Sequence, residues 1–145
     1  MPKVDLPLDQ RNIIITRSKE GILDIKKIFI SKGANVFDLP AISIADPDDL
    51  NPLDEALNQI NDFHWIIFSS SNGIKFVDKR LRYFNSSLKE CSKKTKIAVV
   101  GEKTSKTLDD FGIKADFIPP EFVAESLIDN FPVSGYGLRV FVPRV

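Results

Sequence analysis

Two short apolar runs constrain this chain most. Trp65 to Phe68 and Ile97 to Val100 are each continuously hydrophobic. A strand with one wet face would alternate polar and apolar residues, so unbroken runs of this length fit strands buried on both faces of a parallel sheet. Each run stops at a polar or glycine-containing junction and is followed by apolar residues at helical spacing. After Phe68 come Ser69 to Gly73, then Ile74, Val77, Leu81 and Phe84. After Val100 come Gly101, then Leu108 and Phe111, with closure near Gly112. Strand, junction and helix in repeated order place helices on both sides of a mostly parallel sheet.

The rest of the chain reads the same way. Ile13 to Thr16 is a β-branched strand. Ser18 stands where a helix cap belongs, with Glu20 in the first turn. Ile22, Ile25, Ile28 and Phe29 follow at helical spacing, and Gly33 occupies the position after the helix end. Val36 to Ile44 is extended but interrupted by Pro40, which suits an edge or crossover strand. Asp46 to Asp49 forms a loop. Leu53, Ala56, Leu57 and Ile60 mark an amphipathic helix. Asn85 to Thr95 is polar and lysine-rich, read as a loop with Cys91 as a surface thiol. Ala115 to Ile118 is a short strand stopped by Pro119 and Pro120. Phe122, Val123, Ser126 and Leu127 outline a helix, Pro132 to Gly137 a turn-rich loop, and Leu138 to Val142 a last strand.

Composition excludes several function classes. The 145 residues hold 20 Lys plus Arg against 20 Asp plus Glu, so there is no basic excess of the kind nucleic acid attracts. No apolar stretch reaches the roughly 18 residues that span a bilayer, and the opening MPKVDLPLDQ lacks a signal-peptide core. A single cysteine allows no internal disulfide and fits a reducing, cytoplasmic setting. His64, the one histidine, precedes a buried strand without Cys or acidic partners at metal-ligand spacing, and is read as structural. No glycine-rich nucleotide signature, P-loop or serine-hydrolase elbow is present.

What remains for chemistry is a set of strand-to-helix junctions. They are Thr16-Arg17-Ser18, Ser69-Ser70-Ser71-Asn72-Gly73, Gly101-Glu102-Lys103-Thr104-Ser105 and Pro119 to Ala124. The first N–H groups of each following helix lack intrahelical acceptors and lie at the positive end of the helix dipole, so they favour carboxylate or phosphate. The hydroxyls there can equally serve as simple caps. Arg17, Lys103 and Arg144 would add formal charge. The strand-to-helix loops of such a sheet share one edge, where ligands of open α/β sheets bind. Ile13-Ile14-Ile15-Thr16-Arg17 and Val140-Phe141-Val142-Pro143-Arg144 also resemble each other, a hint that a second structural repeat opens near the end of the chain.

In order and spacing, these stretches resemble the uroporphyrinogen-III synthase (HemD-like) family. They are Ile15-Thr16-Arg17, VFDLPAISI from Val36, WIIFSSSNGI from Trp65, AVVGEKT from Ala98, FIPPEFVAESL from Phe117 and RVFVPR from Arg139. The resemblance implies an α/β parallel sheet flanked by helices, flavodoxin-like in each domain, in a two-domain parent of which only part is present. Residues 1–38 would be the first strand-helix unit of domain I, 39–47 a linker strand, and 48–145 most of domain II. It implies a cofactor-free, metal-free, monomeric synthase. That enzyme closes the linear tetrapyrrole hydroxymethylbilane with inversion of ring D and loss of water. The resemblance further assigns substrate contacts to Arg17, Ser70, Asn72, Thr104, Ala124 and Glu125; Gly73, Lys103 and Arg144, from the junctions and their charge, complete the candidate substrate-binding set. It gives no catalytic residue here: the tyrosine usually proposed would lie past Val145, and Tyr83 and Tyr136 do not match it. The competing expectation is a non-catalytic α/β anion-binding module whose single compact sheet holds both Ile13–Thr16 and Trp65–Phe68.

Overall fold

The computed structural model describes residues 6–144. The segment before them, Val145 and the side chain of Glu20, expected in the first turn of a helix, lie outside the described residues. The chain divides after Asp46 into two compact units.

The first unit is a β-α-β motif. Strand β1 (Asn12–Ile15) and strand β2 (Asn35–Asp38) pair in parallel, with Ile13 opposite Val36 and Ile14 opposite Phe37. Helix α1 (Lys19–Ser31) makes the crossover, burying Ile22. Ser18 does hold the cap position, but its side chain makes no capping bond. The carboxyl end is closed as the sequence requires. Gly33 N–H donates to Ile30 O and Ala34 N–H to Phe29 O, with Gly33 at φ +94°. A β-carbon there would meet Leu6 Cβ at 2.9 Å, so both backbone angle and space demand glycine. Strand β2 stops at Asp38, short of the expected Ile44. Leu39 and Ala41 still donate to Ile15 O and Thr16 O, but Pro40 between them has no N–H to continue the ladder.

The second unit carries a parallel sheet of order β4-β3-β5, formed by β3 (Trp65–Phe68), β4 (Lys96–Val99) and β5 (Val140–Phe141). Trp65 faces Lys96 on one side and Val140 on the other. Helices α2 (Asn51–Asn58), α3 (Ser71–Tyr83), α4 (Leu88–Cys91), α5 (Glu102–Asp110) and α6 (Ala124–Asp129) complete it. One face of the sheet presents Ile66, Phe68, Ile97 and Val99 to Leu57, Ile60, Ile74, Val77, Leu81 and Leu108, all buried. On the other face Trp65 packs against the ring of Phe131 at 4.9 Å, which in turn meets Phe117.

Four expectations are corrected. Residues 85–95 are not all loop: Leu88 and Cys91, three apart in a lysine-rich background, form the buried side of α4. Cys91 is therefore core, 3% exposed, rather than a surface thiol. Ala115–Ile118 makes a single bridge, Ala98 to Phe117, because Pro119 and Pro120 stop further pairing. Phe122 and Val123 precede α6 rather than belonging to it. The last strand pairs over two residues, not five. Nor do the described residues form one sheet holding both Ile13–Thr16 and Trp65–Phe68. Among them β1 pairs only with β2, and β3 only with β4 and β5, which removes the structural condition of the binding-module reading.

Candidate functional site

Parallel pairing of β3, β4 and the Phe117 bridge fixes the polarity of the second unit. The junctions after Phe68, Val99 and Phe117 therefore open on one edge of one sheet. Val100 N–H donates to Phe68 O at 2.9 Å and Val99 N–H to Phe117 O at 3.1 Å, holding the three chain ends side by side.

Each junction leads into a helix, and the caps differ. At α3, Ser70 Oγ accepts from Gly73 N–H at 3.2 Å, an ordinary serine cap. At α5 the cap residue is Gly101, at φ +104°, with no side chain to offer. At α6 the cap residue is Val123, again with no side-chain bond. Capping therefore accounts for Ser70 and not for the other two junctions, where no side chain caps the first amide donors. Glu121 N–H, just before α6, is taken by Ser126 Oγ at 3.2 Å.

The first two junctions are tied together. Ser71 Oγ donates to Lys103 O at 3.3 Å, and Thr107 Oγ1 lies 2.9 Å from Ser71 Oγ and 3.0 Å from Lys103 O. Thr107 escaped the sequence reading. The signal was its spacing, four residues after Lys103, which puts its hydroxyl back over the first turn of α5.

The residues assigned from sequence distribute as follows. Ser70, Asn72 and Gly73 begin α3, and Lys103 and Thr104 begin α5, all on the shared edge. Asn72 and Lys103 are exposed, while Gly73 and Thr104 are buried. Ala124 and Glu125 open α6 and are exposed. Glu125 and Glu102 put carboxylates in first turns, so at those two positions only the main chain suits an anion. Arg144 is exposed, three residues past the end of β5. Arg17 belongs to the first unit, follows β1, and lays its guanidinium against Gly21 in the first turn of α1. The structure thus brings most of these residues onto two neighbouring helix starts and a third, and leaves Arg17 in a separate unit.

His64 is structural, as expected. Its Nδ1 accepts from Arg139 N–H at 3.0 Å, its backbone N–H donates to Arg139 O at 2.9 Å, and its carbonyl accepts from Lys96 N–H. It thereby pins β5 to β3. A recess of about 340 Å³ lined by Leu57, Phe84 and Cys91 lies at the carboxyl ends of α2 and α3, away from the junction edge. Among the described residues no cluster of His, Cys, Asp and Glu could hold a metal, and no helix is long and apolar enough to cross a membrane.

A family model described as uroporphyrinogen-III synthase HemD matches residues 24–144. The chain belongs to that family. A uroporphyrinogen-III synthase from Synechococcus elongatus is 40% identical over 141 residues, covering 96% of this chain and 52% of the relative. A putative uroporphyrinogen-III synthase from Methanocaldococcus jannaschii is 32% identical over 117 residues, covering 80% of this chain and 45% of the relative. The chain thus spans about half the length of these relatives. The crystal structure of uroporphyrinogen III synthase from the extremely thermophilic bacterium Thermus thermophilus superposes with a TM-score of 0.55 at 11% identity, covering 91% of this chain and 59% of the other. That likeness establishes a shared fold, the parallel α/β architecture of the HemD family.

Proposed function

We propose that this chain is the amino-terminal part of a uroporphyrinogen-III synthase, a cyclising hydro-lyase of tetrapyrrole and heme biosynthesis acting on hydroxymethylbilane as a cytoplasmic monomer without a cofactor. The observation that carries the reading is the junction edge of the second unit: neighbouring helix starts, two of them uncapped, in a chain of this family.

The substrate is a flexible chain bearing many carboxylates, and its reactive end cyclises readily without inversion. The protein's task is then to hold one folded geometry, a problem of positioning more than of bond polarisation. Backbone amides at the starts of α5 and α6 suit carboxylates because they donate without desolvating a formal positive charge. Lys103 supplies that charge at the rim and Asn72 a neutral polar contact, while the buried Thr104 would contribute through the first turn of α5. Gly73 donates its N–H to Ser70 Oγ, and that bond fixes the start of α3. Ala124 and Glu125 contribute main-chain donors. Arg17 and Arg144 would reach substrate carboxylates from outside this edge, Arg17 from domain I. On this reading residues 1–38 belong to domain I, 39–47 form a linker strand, and 48–145 form most of domain II.

The test is product analysis. The full-length protein should convert hydroxymethylbilane to the type III isomer, and the 145-residue chain should leave only the type I isomer that forms spontaneously. Exclusive type I product from the full-length protein would overturn the assignment.

A further inference from the structure

Asn72 and Lys103 open neighbouring helices, and their spacing is held from two sides. Behind them, Val100 N–H donates to Phe68 O at 2.9 Å and locks the strand ends before each junction. In front, Ser71, the residue before Asn72, donates through Oγ to the carbonyl of Lys103 itself at 3.3 Å. Thr107 Oγ1 donates to Ser71 Oγ at 2.9 Å and completes the link. Only two residues lie between the anchors on each stretch of chain, Ser69 and Ser70 on one, Gly101 and Glu102 on the other.

A threonine inside a helix often turns its hydroxyl back to the carbonyl four residues earlier, and Thr107 Oγ1 does lie 3.0 Å from Lys103 O. That local bond serves α5 alone. The contact with Ser71 crosses to another helix and is the shorter of the two. Thr107 is buried and Ser71 half-buried. Apolar packing begins behind the first turns, with Ile74 and Leu108 in the buried core. Hydrophobic contact has no preferred direction, whereas a hydroxyl pair fixes a distance and an angle. The spacing of the two helix starts is therefore set by Thr107 and Ser71 more than by the core beneath them.

We propose that Thr107 is a positioning residue for the cyclisation: without touching substrate, it acts through Ser71 to set the separation of Asn72 and Lys103, and that separation decides how much substrate closes with inversion of ring D. The proposal rests on the synthase reading. A linear substrate gripped at both helix starts carries their spacing into the distance between its own reacting ends. A misplacement of about 1 Å costs on the order of a hundredfold in rate. Closure without inversion needs no grip and continues at its own pace, so a loosened grip shows itself as type I product.

The experiment compares the full-length protein with three variants, each assayed without denaturant and confirmed folded by circular dichroism. Thr107→Val keeps the shape and removes the hydroxyl; Thr107→Ser keeps the hydroxyl and removes a methyl. Ser71→Ala removes the partner. Thr107→Val should lower kcat by about tenfold, the loss expected for a shift of about half an ångström, and raise the type I share accordingly. Ser71→Ala should match it, and the double variant should fall no further, because both break one link. Thr107→Ser should restore the kcat and isomer ratio of the parent. Parent values of both in Thr107→Val, whatever its unfolding midpoint, would overturn the proposal and leave the synthase reading standing. A loss in Thr107→Ser as deep as in Thr107→Val would do the same, because it would place the effect in the methyl contact. An unaffected Ser71→Ala would also overturn it. Type I product alone from the unsubstituted protein is a different failure: it removes the synthase reading, and this proposal with it.

Discussion

The hydroxyl of Thr107 donates to Ser71 Oγ at 2.9 Å, and Ser71 Oγ in turn donates to Lys103 O at 3.3 Å, so two helix starts share one hydrogen-bond chain. The first turns of α3 and α5 thereby keep a fixed spacing, which any ligand gripped by both would depend on.

Breaking that chain should cost stability modestly and non-additively. Ser71→Ala and Thr107→Val are each expected to lower unfolding free energy by about 0.5–1.5 kcal/mol, the net worth of a typical hydrogen bond. The double variant should lose less than the sum, because both remove the same link. Urea unfolding of all four proteins measures the coupling; strict additivity would show that the two hydroxyls act separately.

Gly101 is constrained by its backbone rather than by space. It sits at φ +104° and ψ 145°, and the closest atom to an added β-carbon would be Thr104 Oγ1 at 3.9 Å. Gly101→Ala should therefore cost about 1–3 kcal/mol from backbone strain alone. Gly73 differs: its added β-carbon meets Phe68 and Ser70 at ordinary contact distances, 3.5 and 3.6 Å. Gly73→Ala should fold at least as stably as the parent, since alanine favours a helix by about 1 kcal/mol over glycine. Thermal melts of the pair separate the two cases.

The Arg80 guanidinium donates to both oxygens of Asp54, at 2.6 and 2.5 Å, joining α3 to α2. That hydrogen bond holds the Asp54 carboxyl below its ordinary value of 3.8. A carboxyl whose pKa falls on folding stabilises the fold above its unfolded value, and the contribution is lost as pH drops through the folded one. Asp54→Asn should be less stable than the parent near neutral pH, and the difference should shrink below pH 3.8. Denaturant midpoints at several pH values test this; a gap that widened in acid would contradict it.

Burial pushes the Cys91 thiol up from its ordinary value, with Ser86 Oγ 3.9 Å from the sulfur. The thiolate is the reactive form, so native protein should react with a thiol reagent at least tenfold more slowly than urea-unfolded protein. Labelling kinetics would then report opening of α4. Equal rates would place Cys91 outside the core.

Much of this fold could be read directly from residue order, for physical reasons that also explain the misreadings. WIIF and IAVV read as interior strands, because unbroken apolar residues suit a strand covered on both faces. Gly33 and Gly112 marked helix ends because positive φ is a local demand that glycine meets. Leu88 and Cys91 were hidden because two apolar residues in a lysine-rich stretch give too little periodicity to reveal a buried single turn. The lengths of β2 and β5 were overread because ladder length depends on a neighbouring strand, which local sequence does not encode. The junctions were visible as polar breaks. That Gly101 and Val123 leave their helices uncapped, while Ser70 caps its own, emerged only from geometry.

Ile14 and Phe37, paired across β1 and β2, are 62% and 55% exposed, and that bare face has a consequence during synthesis. Translation at roughly 5–20 residues per second delivers β1, α1 and β2 ahead of the three-stranded sheet. About thirty residues separate the end of β2 from the end of β3, so for roughly two to six seconds a nascent chain carries that face, followed by exposed Ile42 and Ile44, before β3 has been made. Ribosome-associated chaperones that favour short aliphatic segments should therefore crosslink to Ile14 through Ile44 more strongly than to the segments around Phe68 or Val99, whose burial begins as soon as they pair.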